Sequence, residues 1–262
     1  MSWKINTVGK KSDIDQIKNP VLIEGLPGIG NVGKIAADFL VDELKAVKVY
    51  EIFSYKMPHS VFVNEKNLVE LPSLEIYYKK SKKQDILFLV GDIQPIDEES
   101  NYEFCDTVLD LFEKHKGKEI ITLGGIGLKS VPEVPKVYCT ANNLKIIERY
   151  KKGSQLNDKI YGVVGPIVGV SGLLVGLSKK RNIEAIAILA ETYGHPMYLG
   201  IKGAREIVTI LNKKLDLNVK IEDLDKEIKE IESEIKKAES MNTKKLQSSL
   251  KKIKFKDTNY IG

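Results

Sequence analysis

The chain has 262 residues, 42% of them hydrophobic, enough to bury the core of one large domain or of an ordinary domain with an appendage. Its formal net charge of +5 is uneven, because residues 241–256 hold six lysines and no acid and leave −1 for the rest: a near-neutral body with a basic tail. No apolar run reaches the roughly eighteen residues of a membrane span, the N-terminus lacks the apolar core of a signal peptide, and Cys105 and Cys139 are too few for a disulfide framework or a structural zinc site. A soluble, cytoplasmic protein is expected.

In chain order, the first strong feature is residues 21–34, VLIEGLPGIGNVGK. The apolar run Val21–Glu24 breaks into glycines and a proline, and a helical pattern, Val32–Leu44, begins at once. Strand, glycine turn and helix can aim backbone N–H groups at an anion. Gly28-x-Gly30-x-x-Gly33 matches the dinucleotide fingerprint, and Gly28-x4-Gly33-Lys34 matches most of a P-loop. Both fail where the chemistry is done. Ile35 stands where a P-loop needs a magnesium-binding hydroxyl, and Asp92 follows its strand with a glycine inserted. Glu51 lies inside Val47–Phe53 rather than at the strand's end, where a ribose would be held. The glycines are therefore expected to serve packing, with no nucleotide bound and Ile35 buried.

Further strand-like runs follow at Val47–Phe53, Leu74–Tyr78, Asp85–Val90, Glu119–Leu123, Lys136–Thr140, Ile160–Val164 and Ala185–Leu189. Helical patterns occupy Glu99–Glu113, Val170–Arg181 and Lys202–Leu215. Short Val/Ile/Leu-rich strands alternating with amphipathic helices predict an α/β layer fold with a mainly parallel central sheet. Val61–Val63 and Leu68–Leu71 read as a small hairpin off that sheet. Cys105 falls in a helix and Cys139 in a strand, both as buried thiols.

The pattern changes after residue 215, so the expected division is a core of 1–215, a C-terminal amphipathic helix over 216–240 and a flexible basic tail over 241–262. Ile221, Leu224, Ile228, Ile231, Ile235 and Ala238 are spaced 3, 4, 3, 4 and 3 apart, a seam too short for a self-sufficient coiled coil. A helix of this length is marginal alone, so the stripe needs cover from the body or from a second copy, and a homo-oligomer interface is expected. Glu222–Lys226, Asp225–Lys229 and Glu232–Lys236 are i,i+4 pairs with the acid first. The tail ends in Tyr260-Ile261-Gly262, an apolar terminus on a polar linker, which reads as a docking peptide.

Catalytic chemistry is sparse. His115 suits a helix end, while His59 and His195 adjoin prolines, and none has metal-site spacing. Ser171 in Gly169-Val170-Ser171-Gly172 approaches a nucleophile elbow with its last glycine displaced, and reads better as a helix N-cap. Glu191, after a buried strand, reads as a hydrogen-bonded structural acid. No nucleophile, base and orienter assemble from the sequence; no catalytic residue, cofactor or metal is expected. The lysine tail lacks the stacking aromatics of nucleic-acid surfaces, with Phe255 and Tyr260 its only rings, which disfavours nucleic acid as a partner.

Taken together, several segments resemble the proteasome assembly chaperone 2 family in its archaeal branch. They are Glu24-Gly25-Leu26-Pro27-Gly28-Ile29-Gly30-Asn31-Val32-Gly33-Lys34, Gly91-Asp92-Ile93-Gln94-Pro95, the Gly124-Gly125 turn after Ile120–Leu123, and Val137–Asn142. Residues 165–172, Leu189-Ala190-Glu191-Thr192 and the C-terminal helix complete the set. The resemblance implies a three-layer α/β/α fold of the phosphorylase/hydrolase-like class. It also implies binding to proteasome α-subunits, to assist ring assembly or regulate the core particle, rather than enzyme activity. Members dock a C-terminal hydrophobic–tyrosine–any tripeptide between α-subunits, the terminal carboxylate meeting a lysine. Here Tyr260 is third from the end and Ile261 penultimate, so the elements are present in a different order. The alternative is a nucleotide-dependent ligase or phosphorylase-like enzyme using the Gly28–Lys34 loop, which accounts for that loop alone.

Overall fold

The structure, a computed structural model, describes residues 3–81 and 83–239. The chain opens with β1 (Lys4–Thr7), α1 (Lys11–Asp15), β2 (Val21–Gly25), a 3-10 turn (Ile29–Asn31), α2 (Val32–Glu43) and β3 (Val47–Phe53). A hairpin, β4 (Phe62–Val63) and β5 (Val69–Glu70), precedes β6 (Leu74–Lys79), β7 (Ile86–Gly91), α3 (Glu98–Lys114) and β8 (Glu119–Leu128). Then come β9 (Val137–Ala141), α4 (Leu144–Lys151), α5 (Val170–Lys180), β10 (Glu184–Tyr193), α6 (Ile201–Leu215) and α7 (Ile221–Glu239).

The described residues of 3–60 and 71–219 form one compact unit around an 8-stranded sheet of order β1-β3-β6-β7-β2-β8-β10-β9. β7, β2, β8 and β10 are parallel neighbours, β6 and β9 run antiparallel to the ends of that group, and β3 and β1 extend the β6 edge by further antiparallel pairs. The strand direction is thus mostly shared but the sheet is mixed. The central strands read as unbroken apolar runs because both faces are covered: every residue of β2 and β7 is buried. Side-chain alternation assigns the covering helices. A Cβ on Gly25 would lie 2.4 Å from the Ala37 side chain of α2, whereas the preceding Glu24 bonds Ser171 of α5. α2 and α5 therefore lie on opposite faces. α6 packs with α2, and α3 packs with α5, giving three layers. Phe88, Phe104 and Phe112 are among the largest fully buried side chains, and Trp3 packs on Phe104 at 4.9 Å between ring centroids. Cys105 and Cys139 are both buried free thiols.

Two expectations need correction. Ile160–Val164 is not a strand: Gly162 takes φ +82, and the amides of Val163 and Val164 both bond to the carbonyl of Ile160. Its apolar residues serve instead as a cover, Ile160, Val164 and Ile167 packing onto Ile126, Tyr138 and Leu189. Gly124-Gly125 is not a turn. β8 continues through it to Leu128, paired with β10 as far as Tyr193, and a Cβ on Gly125 would sit 2.2 Å from the Ile29 carbonyl. The glycines admit a neighbouring loop rather than reverse the chain. β1, α1 and α4 carried no pattern long enough to read. α4 stands on two buried residues, Ile146 and Tyr150, and an Asn143 N-cap that accepts from the Ile146 amide at 3.1 Å.

Among the described residues, 61–70 and 220–239 fall in a second unit. Its antiparallel hairpin is separate from the main sheet and is closed by Asn64, whose side-chain oxygen accepts from the amides of Lys66 and Leu68. α7 covers the expected amphipathic helix. Leu224 is fully buried, and Ile221 and Ile228 are half-buried; the side chains of Ile231 and Ile235 lie outside the described residues. Lys226 pairs with Asp223 at 2.6 Å, one turn position away from the expected Glu222.

Candidate functional site

Of the polar residues singled out in the sequence, Lys34, Asp92, Ser171 and Glu191 gather at the carboxyl ends of β2, β7, β8 and β10, the end at which open α/β sheets hold ligands. The glycine loop enters α2 there, and its contacts are internal. Gly33 packs so closely on β8 that a Cβ would meet the Leu123 carbonyl oxygen at 2.3 Å. Gly30 adopts φ +62, and its carbonyl accepts from the Gly200 amide at 2.7 Å. Ile35 is buried at 2% exposure. Lys34 turns away from the loop toward β7: its ammonium donates to the Gly91 carbonyl at 3.0 Å and pairs with Asp38 at 2.9 Å, with Asp92 at 3.9 Å. Those partners use the donors that a phosphate would need. Asp92 in turn accepts from the amide and hydroxyl of Ser73, so it locks the β6–β7 end of the sheet.

Two side chains stitch the loops together. Gln94 donates to the Pro27 carbonyl at 2.6 Å and accepts from the Val170 amide at 3.1 Å. Glu24, wholly buried, accepts from the Leu26 amide at 3.1 Å and from the Ser171 hydroxyl at 2.9 Å. Burial pushes its carboxyl up to about 7 against the opposing pull of Ser171 and the Leu26 and Leu123 backbone. Ser171 is not the N-cap. It is the second residue of α5, whose N-cap is Gly169 at φ 87, and its hydroxyl faces the sheet. Nothing local marks this pair, since Glu24 and Ser171 are 147 residues apart.

Glu191 is held as a structural acid, accepting from the Lys136 amide at 2.9 Å and the Tyr138 hydroxyl at 3.2 Å, which fixes β9 against β10. The histidines are dispersed. His115 meets the Tyr50 hydroxyl at 2.7 Å, with burial and then Lys114 lowering its pKa, and His195 stacks on Tyr193 at 5.6 Å. His59 joins neither. Among the described residues no group of three or more His, Cys, Asp or Glu side chains could hold a metal ion, and no helix is long and apolar enough to cross a membrane. Tyr260, Ile261 and Gly262 lie outside the described residues.

Comparison with known proteins adds an independent line. The chain is 30% identical over 197 residues to an uncharacterized protein of Methanocaldococcus jannaschii, covering 74% of each. Among solved structures it is similar to Pyrococcus furiosus PbaB, an archaeal proteasome activator, at 32% identity and TM-score 0.81, covering 91% of this chain and 99% of that one. It is also similar to Pyrococcus furiosus PbaA, an archaeal homolog of proteasome-assembly chaperone, at 25% identity and TM-score 0.73, covering 95% of each. The PAC2 family model matches residues 22–239, from the second residue of β2 to the end of α7, and the chain belongs to the PAC2 family.

Proposed function

We propose that this chain is a proteasome assembly chaperone-like protein that binds proteasome α-subunits, as a homo-oligomer, through its body and its C-terminal Tyr260-Ile261-Gly262. The observation that carries the reading is its likeness to PbaB and PbaA over nearly the whole chain. A binding role also agrees with a carboxyl-end loop whose lysine is taken up internally by Gly91, Asp38 and Asp92. In this reading the core, residues 1–215, is the scaffold. The helix of 216–240 joins copies through Ile221, Ile228, Ile231 and Ile235, while Leu224, expected at the same interface, is already buried within the chain, and the tail of 241–262 reaches the α-ring. Six lysines steer the tail to an acidic surface, and Tyr260 and Ile261 anchor it beside the terminal carboxylate. A partner of this kind places the protein in the cytoplasm.

Co-purification with α-subunits of the same organism tests the partner, and light scattering tests the assembly. Full-length chain should elute as an oligomer that retains α-subunits. Ile228→Asp with Ile231→Asp should give a folded monomer, because buried aliphatics of this size contribute about 1.5–3 kcal/mol each. A wild-type chain that is monomeric at micromolar concentration contradicts the oligomer, and failure to retain α-subunits contradicts the partner.

A further inference from the structure

The fold places a hydroxyl, a carboxylate and a helix N-terminus together at the carboxyl end of the sheet, and the chaperone reading uses none of them. We propose that Ser171 and Glu24 form a serine–carboxylate dyad that cleaves small activated esters, with Ser171 Oγ as nucleophile and Glu24 as its base. The hydroxyl already donates to Glu24 Oε2 at 2.9 Å, the distance at which a base can take its proton. Glu24 Oε1 is fixed by the Leu26 amide at 3.1 Å, so the carboxylate is oriented by the backbone of the glycine loop.

Two further groups point to a reacting centre rather than a structural bond. In the first turn of α5 the Val170 amide is taken by Gln94 and the Leu173 amide by the Gly169 carbonyl. Those of Ser171 and Gly172 meet no acceptor among the described residues and are available to an oxyanion. On β8, Thr122 is fully buried, and its hydroxyl has no hydrogen-bond partner among the described residues. Thr122 is paired with Glu24 across parallel strands, which turns both side chains to the α5 face. An orphaned buried hydroxyl beside a buried carboxyl is a polar group that an atom of a bound ligand could satisfy. Ser171 and Gly172 are half-buried, whereas Glu24 and Thr122 are closed to solvent.

The reaction balances without a cofactor. Ser171 Oγ attacks the ester carbonyl carbon as its proton passes to Glu24 Oε2. Collapse of the tetrahedral species breaks the bond to the alkoxy oxygen, which leaves as the alcohol with the proton from Glu24. Water then attacks the acyl–Ser171 ester, giving its proton to Glu24, and the carboxylic acid departs as Ser171 regains a proton. The sum is ester plus water to acid plus alcohol.

The base must be ionised, and it sits where burial holds its proton to about pH 7. The groups facing it are the Ser171 hydroxyl on α5, Thr122 on β8, the Leu26 and Leu123 backbone and, on α3, the Cys105 thiol, which burial and then the Glu24 charge push up. No charged side chain contributes to the Glu24 shift. Activity should therefore climb through neutral pH.

The test uses the full chain with p-nitrophenyl acetate and, separately, a fluorophosphonate probe read by peptide mass spectrometry. One adduct per chain on the Ser171 peptide is expected, with hydrolysis rising through a limb near pH 7. Ser171→Ala and Glu24→Gln should each lower hydrolysis about 100-fold or more while circular dichroism reports the native fold. Ser171→Cys guards against a folding artefact: its thiol should be alkylated by iodoacetamide, whereas the native Cys105 and Cys139 are buried. An adduct elsewhere, hydrolysis at the buffer rate, Ser171→Ala as fast as wild type, or an unreactive thiol in Ser171→Cys would each overturn the proposal. None of these outcomes bears on α-subunit binding.

Discussion

Two glycine-rich connections meet at the carboxyl end of the sheet, and they are used in opposite ways. The first, between β2 and α2, is tied down at each of its glycines except Gly28. Gly25 and Gly33 let α2 press onto the sheet, Gly30 bonds Gly200, and Lys34 is held by Gly91 and Asp38. The second leads into α5 through residues 160–169. There a Cβ on Gly162 or Gly165 would meet nothing within 4 Å, and Tyr161, Val163 and Val168 are exposed. Glycine content alone thus says little about a ligand. What differs is whether the space a side chain would need is already filled.

The largest expected effect separates the two connections. Gly33→Ala puts a methyl 2.3 Å from the Leu123 carbonyl oxygen, where backbone must move, and should cost on the order of 3 kcal/mol in denaturant unfolding. Gly165→Ala should stay within about 0.5 kcal/mol. Similar losses at both positions would break the comparison. Next in size is Glu24. Its folded pKa of about 7 lies above the ordinary 4.5, so the folded state keeps a proton that the unfolded chain has shed. Stability should therefore fall as pH rises from about 4.5 to 7 and level off beyond, by on the order of 3 kcal/mol. Glu24→Gln should flatten that slope in urea melts taken at several pH values. A slope retained in the variant would assign the titration to another group.

A smaller loss is expected of Lys34→Met, about 1–2 kcal/mol, since Asp38, Asp92 and the Gly91 carbonyl lose a partly buried cation. Calorimetry with ATP and magnesium should show no binding heat in wild type or variant. Micromolar binding abolished by the substitution would instead make Lys34 a phosphate ligand and restore the nucleotide reading.

The fold was largely legible because its strongest signals are local. Val47–Phe53 is β3 to the residue, and α2, α3, α5 and α6 begin within one residue of where the apolar periodicity starts. Edge and short elements escaped, since β1 buries little and α4 rests on two residues. Ile160–Val164 misled because an apolar run that caps a core looks like one that joins a sheet. The site was harder. Glu24 lies in a strand and Ser171 in a helix, and only the packing of α5 on β2 joins them. Lys34 could be placed in the motif by its spacing, but its partners on β7 and its own helix could not. Family membership, by contrast, was legible from the order of loose motifs along the chain, and the match extends over most of the chain rather than one segment.

The proposed contact with α-subunits is tested most directly by surface plasmon resonance on immobilised α-rings, comparing full-length chain, a chain lacking Tyr260-Ile261-Gly262, one extended beyond Gly262, and Tyr260→Ala. The account predicts that truncation and extension both weaken binding sharply through faster dissociation. Tyr260→Ala should reproduce much of the loss, about 2 kcal/mol, while added salt slows association by screening the six lysines. Unchanged affinity after both truncation and extension would contradict it and place the contact on the body.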